Sequence, residues 1–145
     1  MKFKIENDGI DHINVYSKGR TEIGKLLSNF AHFPFNCEDR HFESIEGYWY
    51  WLSTKDDRLR KLYGFQAKQL GRELRGEDWC SEEWFIEKIK KAIKIKFKAM
   101  KHLLVKLDLP ITHYYCYGDK QVFPKEDWIT EFMQKEILEI QNEKT

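Results

Sequence analysis

Between Ile86 and Leu107 the apolar positions Ile86, Ile89, Ile93, Phe97, Met100, Leu104 and Leu107 recur every three or four residues, the period of one helix face. This spacing predicts a core helix of roughly six turns, with Ser81 at its head, Glu82 and Glu83 in its first turn, and Pro110 as its stop. Between the apolar positions lie Lys88, Lys90, Lys91, Lys94, Lys96, Lys98 and Lys101, which read first as a solvated basic face and second as a phosphate-binding stripe. A second amphipathic helix begins at Pro124 and runs through Trp128, Phe132 and Met133 towards Ile137 and Ile140, with Glu131, Lys135 and Glu139 outside.

Alternation replaces this period in three places. Residues 12–17 alternate Ile13 and Val15 with Asn14 and Tyr16, the pattern of a short strand. Phe33-Pro34-Phe35 and His41-Phe42 flank a polar turn at residues 36–40, predicting a hairpin within 33–43. Thr112 to Tyr117 is rich in rings and β-formers, and Gly118-Asp119 breaks it, leaving Asp119 at a strand end. Of the rest, Ser17 to Lys25 reads as a loop, Asp56 to Tyr63 as a short charged helix ended by Gly64, and Phe65 to Leu70 as another capped by Gly71. Arg72, Glu73, Arg75 and Glu77 are then expected in a loop leading to Trp79. The pattern predicts a mainly helical α+β single domain over 1–145, core about 13–140, with a small antiparallel sheet from 12–17, 33–43 and 112–117.

One stretch does not fit a simple amphipathic pattern. Ser44 to Trp51 places one carboxylate, Glu46, at the head of four consecutive rings, Tyr48, Trp49, Tyr50 and Trp51. On a helix these rings step by about 100° and fan around the axis, so at least one is expected to line a cleft. With Ser44 as cap, Glu46 falls in the first turn, where the helix dipole favours its charged form and burial opposes it.

Composition narrows the partners. The 145 residues carry a formal charge of +1, so no global field favours nucleic acid or membrane. Aromatic content is 15% with five tryptophans, more than a core requires, which points to a ligand with flat rings. Cys37, Cys80 and Cys116 are odd in number and far apart, giving neither a disulfide framework nor a zinc motif, and the five histidines have no ligand spacing. No signal-like or membrane-length apolar run occurs, so a cytoplasmic location is expected, the host cytoplasm if the chain is viral. No metal or redox cofactor and no membrane partner are expected, and the oligomeric state is not readable.

Three sequence-distant positions stand out as candidate chemistry: Asn29 as a turn former or ligand donor, Glu46 among rings, and Asp119 after a strand, with Lys68, Arg72 and Trp79 between them. Taken in order with their neighbours they resemble the NADAR family, whose bacterial members include the YbiA-like N-glycosidases. The resemblance covers about residues 13–140. It rests on Asn14-Val15-Tyr16-Ser17, Leu27-Ser28-Asn29-Phe30, Pro34-Phe35, Ser44-Ile45-Glu46, Ala67-Lys68-Gln69-Leu70-Gly71-Arg72, Trp79, Lys96-Phe97 and Tyr117-Gly118-Asp119. It departs at Gly47, Tyr50 and Ser53, where the family usually carries His, Gln and Lys.

The resemblance implies cleavage of a C1′–N bond on a ribose, in an ADP-ribosylated nucleobase such as guanine in DNA or in a related ribosylamine phosphate. It implies that Glu46 and Asp119 divide charge stabilisation and leaving-group assistance. Lys68 ranks first, ahead of Lys55, as a lysine that attacks C1′ and forms a Schiff base. Trp49, Trp79 and Tyr117, the last with Gly118, would stack on a base or close the pocket, Asn29 beside Phe30 would bind ribose hydroxyls, and Arg72 would meet a phosphate. The alternatives are a module that binds ADP-ribose or a nucleotide without turnover, and nucleic-acid binding through the lysine-rich helix.

Overall fold

A computed structural model describes residues 3–75, 82–124 and 127–143. In chain order its elements are β1 (Ile13–Asn14), α1 (Glu22–Leu27), β2 (Phe35–Cys37), β3 (Arg40–Phe42), α2 (Ile45–Thr54), a 3-10 helix (Asp57–Lys61), α3 (Gly64–Arg75), α4 (Glu83–Ala99), α5 (Lys101–Leu104), β4 (Ile111–Thr112), β5 (Tyr115–Tyr117), β6 (Lys120–Val122) and α6 (Trp128–Asn142), with a further 3-10 turn at Ile5–Asn7. The architecture is α+β and mainly helical, as the pattern predicts. Among the described residues no helix is long and apolar enough to cross a membrane. The chain divides into two units, one formed by Asn29–Lys96 and one by Met1–Ser28 with Phe97–Thr145.

The Asn29–Lys96 unit is built around α2. The β2–β3 hairpin pairs Phe35 with Phe42, and its turn residues Glu38 and Asp39 both take positive φ, 54° and 61°, as a type I′ turn requires. Phe42 meets Tyr48 and Trp51 edge-on at 4.8 and 5.2 Å between ring centroids, so the hairpin covers one side of α2. Trp49 meets Phe85 of α4 at 4.8 Å, and Tyr50 lies against Gly71 of α3. The four rings fan out as the helical step demands, and protein surrounds α2 on three sides: Tyr48, Tyr50 and Trp51 are buried and Trp49 half-buried.

Two glycines set the close approaches. A Cβ on Gly47 would lie 2.4 Å from the Leu59 carbonyl oxygen, which places the 3-10 helix directly on the first turn of α2. A Cβ on Gly71 would lie 2.1 Å from Tyr50 Cγ, so α3 presses its backbone onto the tyrosine ring. Gly71 is thus an interior residue of α3 and not its cap: the helix continues to Arg75, carrying Arg72 and Arg75 that sequence spacing assigns to a loop.

In the other unit β1 and β4 pair in parallel, Ile13 with Ile111 and Asn14 with Thr112. The Asn14 side chain extends this pairing, donating to the Tyr114 carbonyl at 3.0 Å and accepting from the Tyr114 N–H at 2.9 Å. His12, fully buried, bridges Asp11 and the Tyr114 hydroxyl at 2.6 Å each. The β5–β6 hairpin turns at Gly118-Asp119, and Gly118 takes the positive φ of 65° that a two-residue hairpin asks of its first position. The Gln134 side chain on α6 accepts from the Ile111 N–H at 2.9 Å, tying that helix to β4.

Three expectations change. The strand regions 12–17, 33–43 and 112–117 do not join into one antiparallel sheet; among the described residues they form three separate two-stranded pairs, one of them parallel. Loops enter between the short runs before a ladder can grow. The long helix does not run unbroken to Pro110: it ends at Ala99, where Met100 leaves the helical region at φ −95° and ψ 7°, and resumes as the one-turn α5. Ser17 to Lys25 is partly helical, since Thr21 caps α1 by accepting from the Gly24 N–H. Ser81, Cys80, Glu77 and Trp79 lie outside the described residues.

Candidate functional site

The start of α2 is fixed by Ser44, whose hydroxyl is an acceptor for the Gly47 N–H at 3.0 Å and a donor to the Leu62 carbonyl at 2.9 Å. One residue into the helix, the Glu46 N–H donates to the Asn29 carbonyl at 3.0 Å, which joins the two sequence candidates through the backbone. Glu46 is half-buried: part of its surface stays reachable while protein atoms crowd its carboxyl. Burial raises that carboxyl to about 7, and Lys68, Arg72 and Arg75 act against the rise. The contest between burial and the charged first turn is therefore won by burial, even with three cations opposing it.

Those three cations come from one face of α3, at i, i+4 and i+7. The Lys68 ammonium lies over the Phe30 ring at 5.8 Å, and the Arg75 guanidinium over the Tyr50 ring at 4.8 Å. Burial, then the Glu46 charge, raises the Tyr50 hydroxyl above the usual phenol value, with Arg75 and Arg72 opposing. Asn29, Phe30, Glu46, Lys68 and Arg72 thus come together in one unit. Trp49 is in the same unit, with its ring on Phe85. Lys55, the other lysine considered, caps α2 in the left-handed region at φ 56° and sets its ammonium 4.1 Å from the Trp51 ring.

Some polar atoms here are buried without a hydrogen-bond partner among the described residues. They are Asn29 Oδ1, an acceptor, and Arg75 Nε and Nη1, both donors. Buried polar atoms are nearly always satisfied, so these three mark positions where a polar partner would be held favourably. Asp119, Tyr117 and Gly118 belong to the other unit, at the β5–β6 turn, where Asp119 and Tyr117 are exposed. Trp79 lies outside the described residues.

Two residues named in the sequence reading were misplaced by it. Arg75 falls on the Lys68–Arg72 face once α3 is continued through Gly71, and the spacing alone carries that signal. Lys96 belongs to the lysine run read as an outer surface, but it is buried at 1% exposure, with its ammonium 5.6 Å from the Phe33 ring. Burial lowers its ammonium to about 7. Its register gives it away: Lys96 follows Ile89, Ala92 and Ile93 by seven, four and three residues, so it shares their buried face. Elsewhere on α4, Lys88 pairs with Glu38 at 3.2 Å and Lys90 with Glu87 at 3.8 Å, which neutralises part of the basic stripe. An open groove of about 670 Å³ runs along α6 in the other unit, with Asp127, Glu131, Lys135 and Glu139 among its lining residues.

Neither the protein-family models nor the curated proteins match this chain. Among solved structures, the solution NMR structure of the E. coli protein YbiA is similar: it aligns over 90% of this chain and 83% of its own, with a TM-score of 0.61 and 18% sequence identity. The chain therefore has a YbiA-like α+β fold.

Proposed function

We propose that the protein is an N-glycosidase that hydrolyses the C1′–N bond of a ribosyl substrate, an ADP-ribosylated nucleobase or a related ribosylamine phosphate, with Glu46 as its acid. The observation that carries this reading is the carboxyl of a half-buried residue raised to about 7, so that both its acid and its ionised form are populated at neutral pH. The acid form gives its proton to the leaving nitrogen as the C1′–N bond breaks. The carboxylate left behind stabilises positive charge at C1′, and water then adds to C1′ and returns a proton to Glu46. Asn29 Oδ1 accepts from a ribose hydroxyl. Phe30 and Trp49 supply apolar walls. Lys68 acts as the cation beside Glu46, and its attack on C1′ is the covalent variant of the same reaction.

The test is incubation with DNA carrying ADP-ribosylated guanosine and with ribosylaminopyrimidine phosphates, following base release by mass spectrometry. Release is expected from one of them, with Glu46→Gln slowing it by at least ~100-fold. kcat/KM should fall as pH rises through about 7, because ionisation removes the acid form of the free protein. Absence of release from both, or a Glu46→Gln variant as fast as the parent, overturns the proposal. Tight ADP-ribose binding with no release from either substrate would leave a nucleotide-binding module instead.

A further inference from the structure

Among the described residues the charges that act on Glu46 are three cations, a surplus of two or more over its single carboxylate. Most other cations of the Asn29–Lys96 unit whose surroundings are described have partners of their own. On the 3-10 helix, Arg58 binds Asp56 at 2.7 Å, Arg60 lies 3.4 Å from Asp57, and Lys61 is exposed. On β3 and before it, His41 and His32 both sit on Glu43, and Arg40 lies over Trp51 at 5.2 Å. On α4, Lys88 is held by Glu38, and on α2 itself Lys55 lies over Trp51. The charges that act on the Glu46 carboxyl are those of Lys68, Arg72 and Arg75, and Arg72 also donates to the Tyr50 hydroxyl.

The three differ in a useful way. Arg72 is exposed and meets solvent, Lys68 is half-buried over Phe30, and Arg75 is half-buried with Nε and Nη1 turned inward and unpartnered among the described residues. Nε–H and the Nη1 amino group lie on different edges of the guanidinium, so each can donate to a separate oxygen of an anion. The face thus grades from solvent to interior, as a site does when an anion enters from outside.

We propose that Lys68, Arg72 and Arg75 form a subsite for a doubly charged phosphoryl anion, such as the pyrophosphate of a nucleotide, and that filling it loads a proton onto Glu46. The proposal deepens the glycosidase reading and rests on it for the identity of the substrate. The linkage is electrostatic. In the free protein the three cations hold the Glu46 carboxyl down against burial. An anion among them cancels that help and adds a like charge, so the carboxyl takes up a proton. By reciprocity, protonation of Glu46 tightens the anion. The substrate's phosphate end would therefore arm the acid that its glycosidic nitrogen needs, and a molecule lacking the phosphate would meet Glu46 mostly ionised above neutrality.

Calorimetry with ADP-ribose in buffers of different ionisation enthalpy counts protons taken up, and it needs no turnover because the probe lacks the scissile bond. Uptake of roughly half a proton per site is expected at pH 7.5 for a one-unit rise in the Glu46 pKa. Glu46→Gln should abolish the uptake while still binding. Arg75→Gln should weaken binding by at least about tenfold, and the exposed Arg72→Gln, which carries little risk to folding, should weaken it in the same direction. Sulfate, a fixed dianion, separates the sources: uptake with sulfate assigns the subsite to any dianion, uptake with ADP-ribose alone assigns it to nucleotides, and either supports the proposal. Binding without uptake, uptake that survives Glu46→Gln, Arg75 and Arg72 variants that bind as the parent does, or no binding of either probe overturns it. Linked uptake in a protein that releases no base would remove the glycosidase reading and leave the subsite standing; base release with no linked uptake would do the reverse.

Discussion

Glu46 and Lys96 are both ionisable groups that burial pushes towards neutrality, and their carboxyl and ammonium titrate near the same pH, about 7. They lie in the same unit but differ in what surrounds them. Glu46 keeps some surface and faces three cations across α2 and α3, whereas Lys96 is sealed on the apolar face of α4 beside Phe33, and burial is the one cause of its shift. The difference teaches that a perturbed acid or base marks chemistry only when it also has access and a charged setting that a ligand can change. Lys96 is perturbed as strongly with almost no exposed surface.

The comparison is broken most completely at Gly71. Gly71→Ala drives a methyl into the Tyr50 ring and should cost about 2–3 kcal/mol, read as a lower denaturant midpoint; an unchanged midpoint would show that Tyr50 does not need this backbone approach. Because the same change pushes α3 away from α2, it should also withdraw the cations from Glu46 and raise its carboxyl further.

Lys96 comes next. Its folded pKa is lowered from 10.5 to about 7, so its contribution to stability is present above 10.5 and is lost as pH falls through about 7. The stability of Lys96→Met relative to the parent should therefore fall, by on the order of 1–3 kcal/mol, as pH rises from 7 towards 10.5. A difference that is the same at pH 7 and pH 10.5 would mean that the ammonium is not what burial penalises.

Glu46 gives the opposite pH signature. Its folded pKa is raised from 4.5 to about 7, so its contribution is present below 4.5 and is lost as pH rises through about 7. Relative to the parent, Glu46→Gln should gain stability between pH 4.5 and pH 8, measured by thermal melts across that range; a flat difference would place the carboxyl in water. The smallest effect is at Lys68, the cation with the largest influence on that carboxyl. Lys68→Gln should move the Glu46 titration above about 7 in an NMR experiment on labelled glutamate, and a shift downwards would contradict the arrangement.

Much of this was legible where a local rule acts alone. The Ser44 cap, the hairpin across residues 36–40 and the buried seam of α4 follow from side-chain oxygens, turn chemistry and period. The failures have physical causes. Gly71 has the residue type of a helix cap, and only the Tyr50 ring against it explains a glycine inside α3; reading it as a cap hid Arg75. Lys96 was hidden by its lysine-rich neighbours, although its register with Ile89 and Ile93 was visible. The parallel pairing of Ile13 with Ile111 joins two-residue strands far apart in sequence, and so short a run carries almost no local signal. Within the candidate site, Asn29, Glu46, Lys68 and Arg72 were nameable in advance, but not that burial would prevail at Glu46.

Gly47 also bears on how this sequence can change. The pattern that the sequence resembles has histidine there, yet in this chain the Leu59 carbonyl occupies the space that any side chain would need. A histidine introduced by itself would have to displace the 3-10 helix, so it becomes tolerable only with compensating changes near Leu59. Single-residue grafts at position 47 would therefore measure that missing second change as much as the histidine itself.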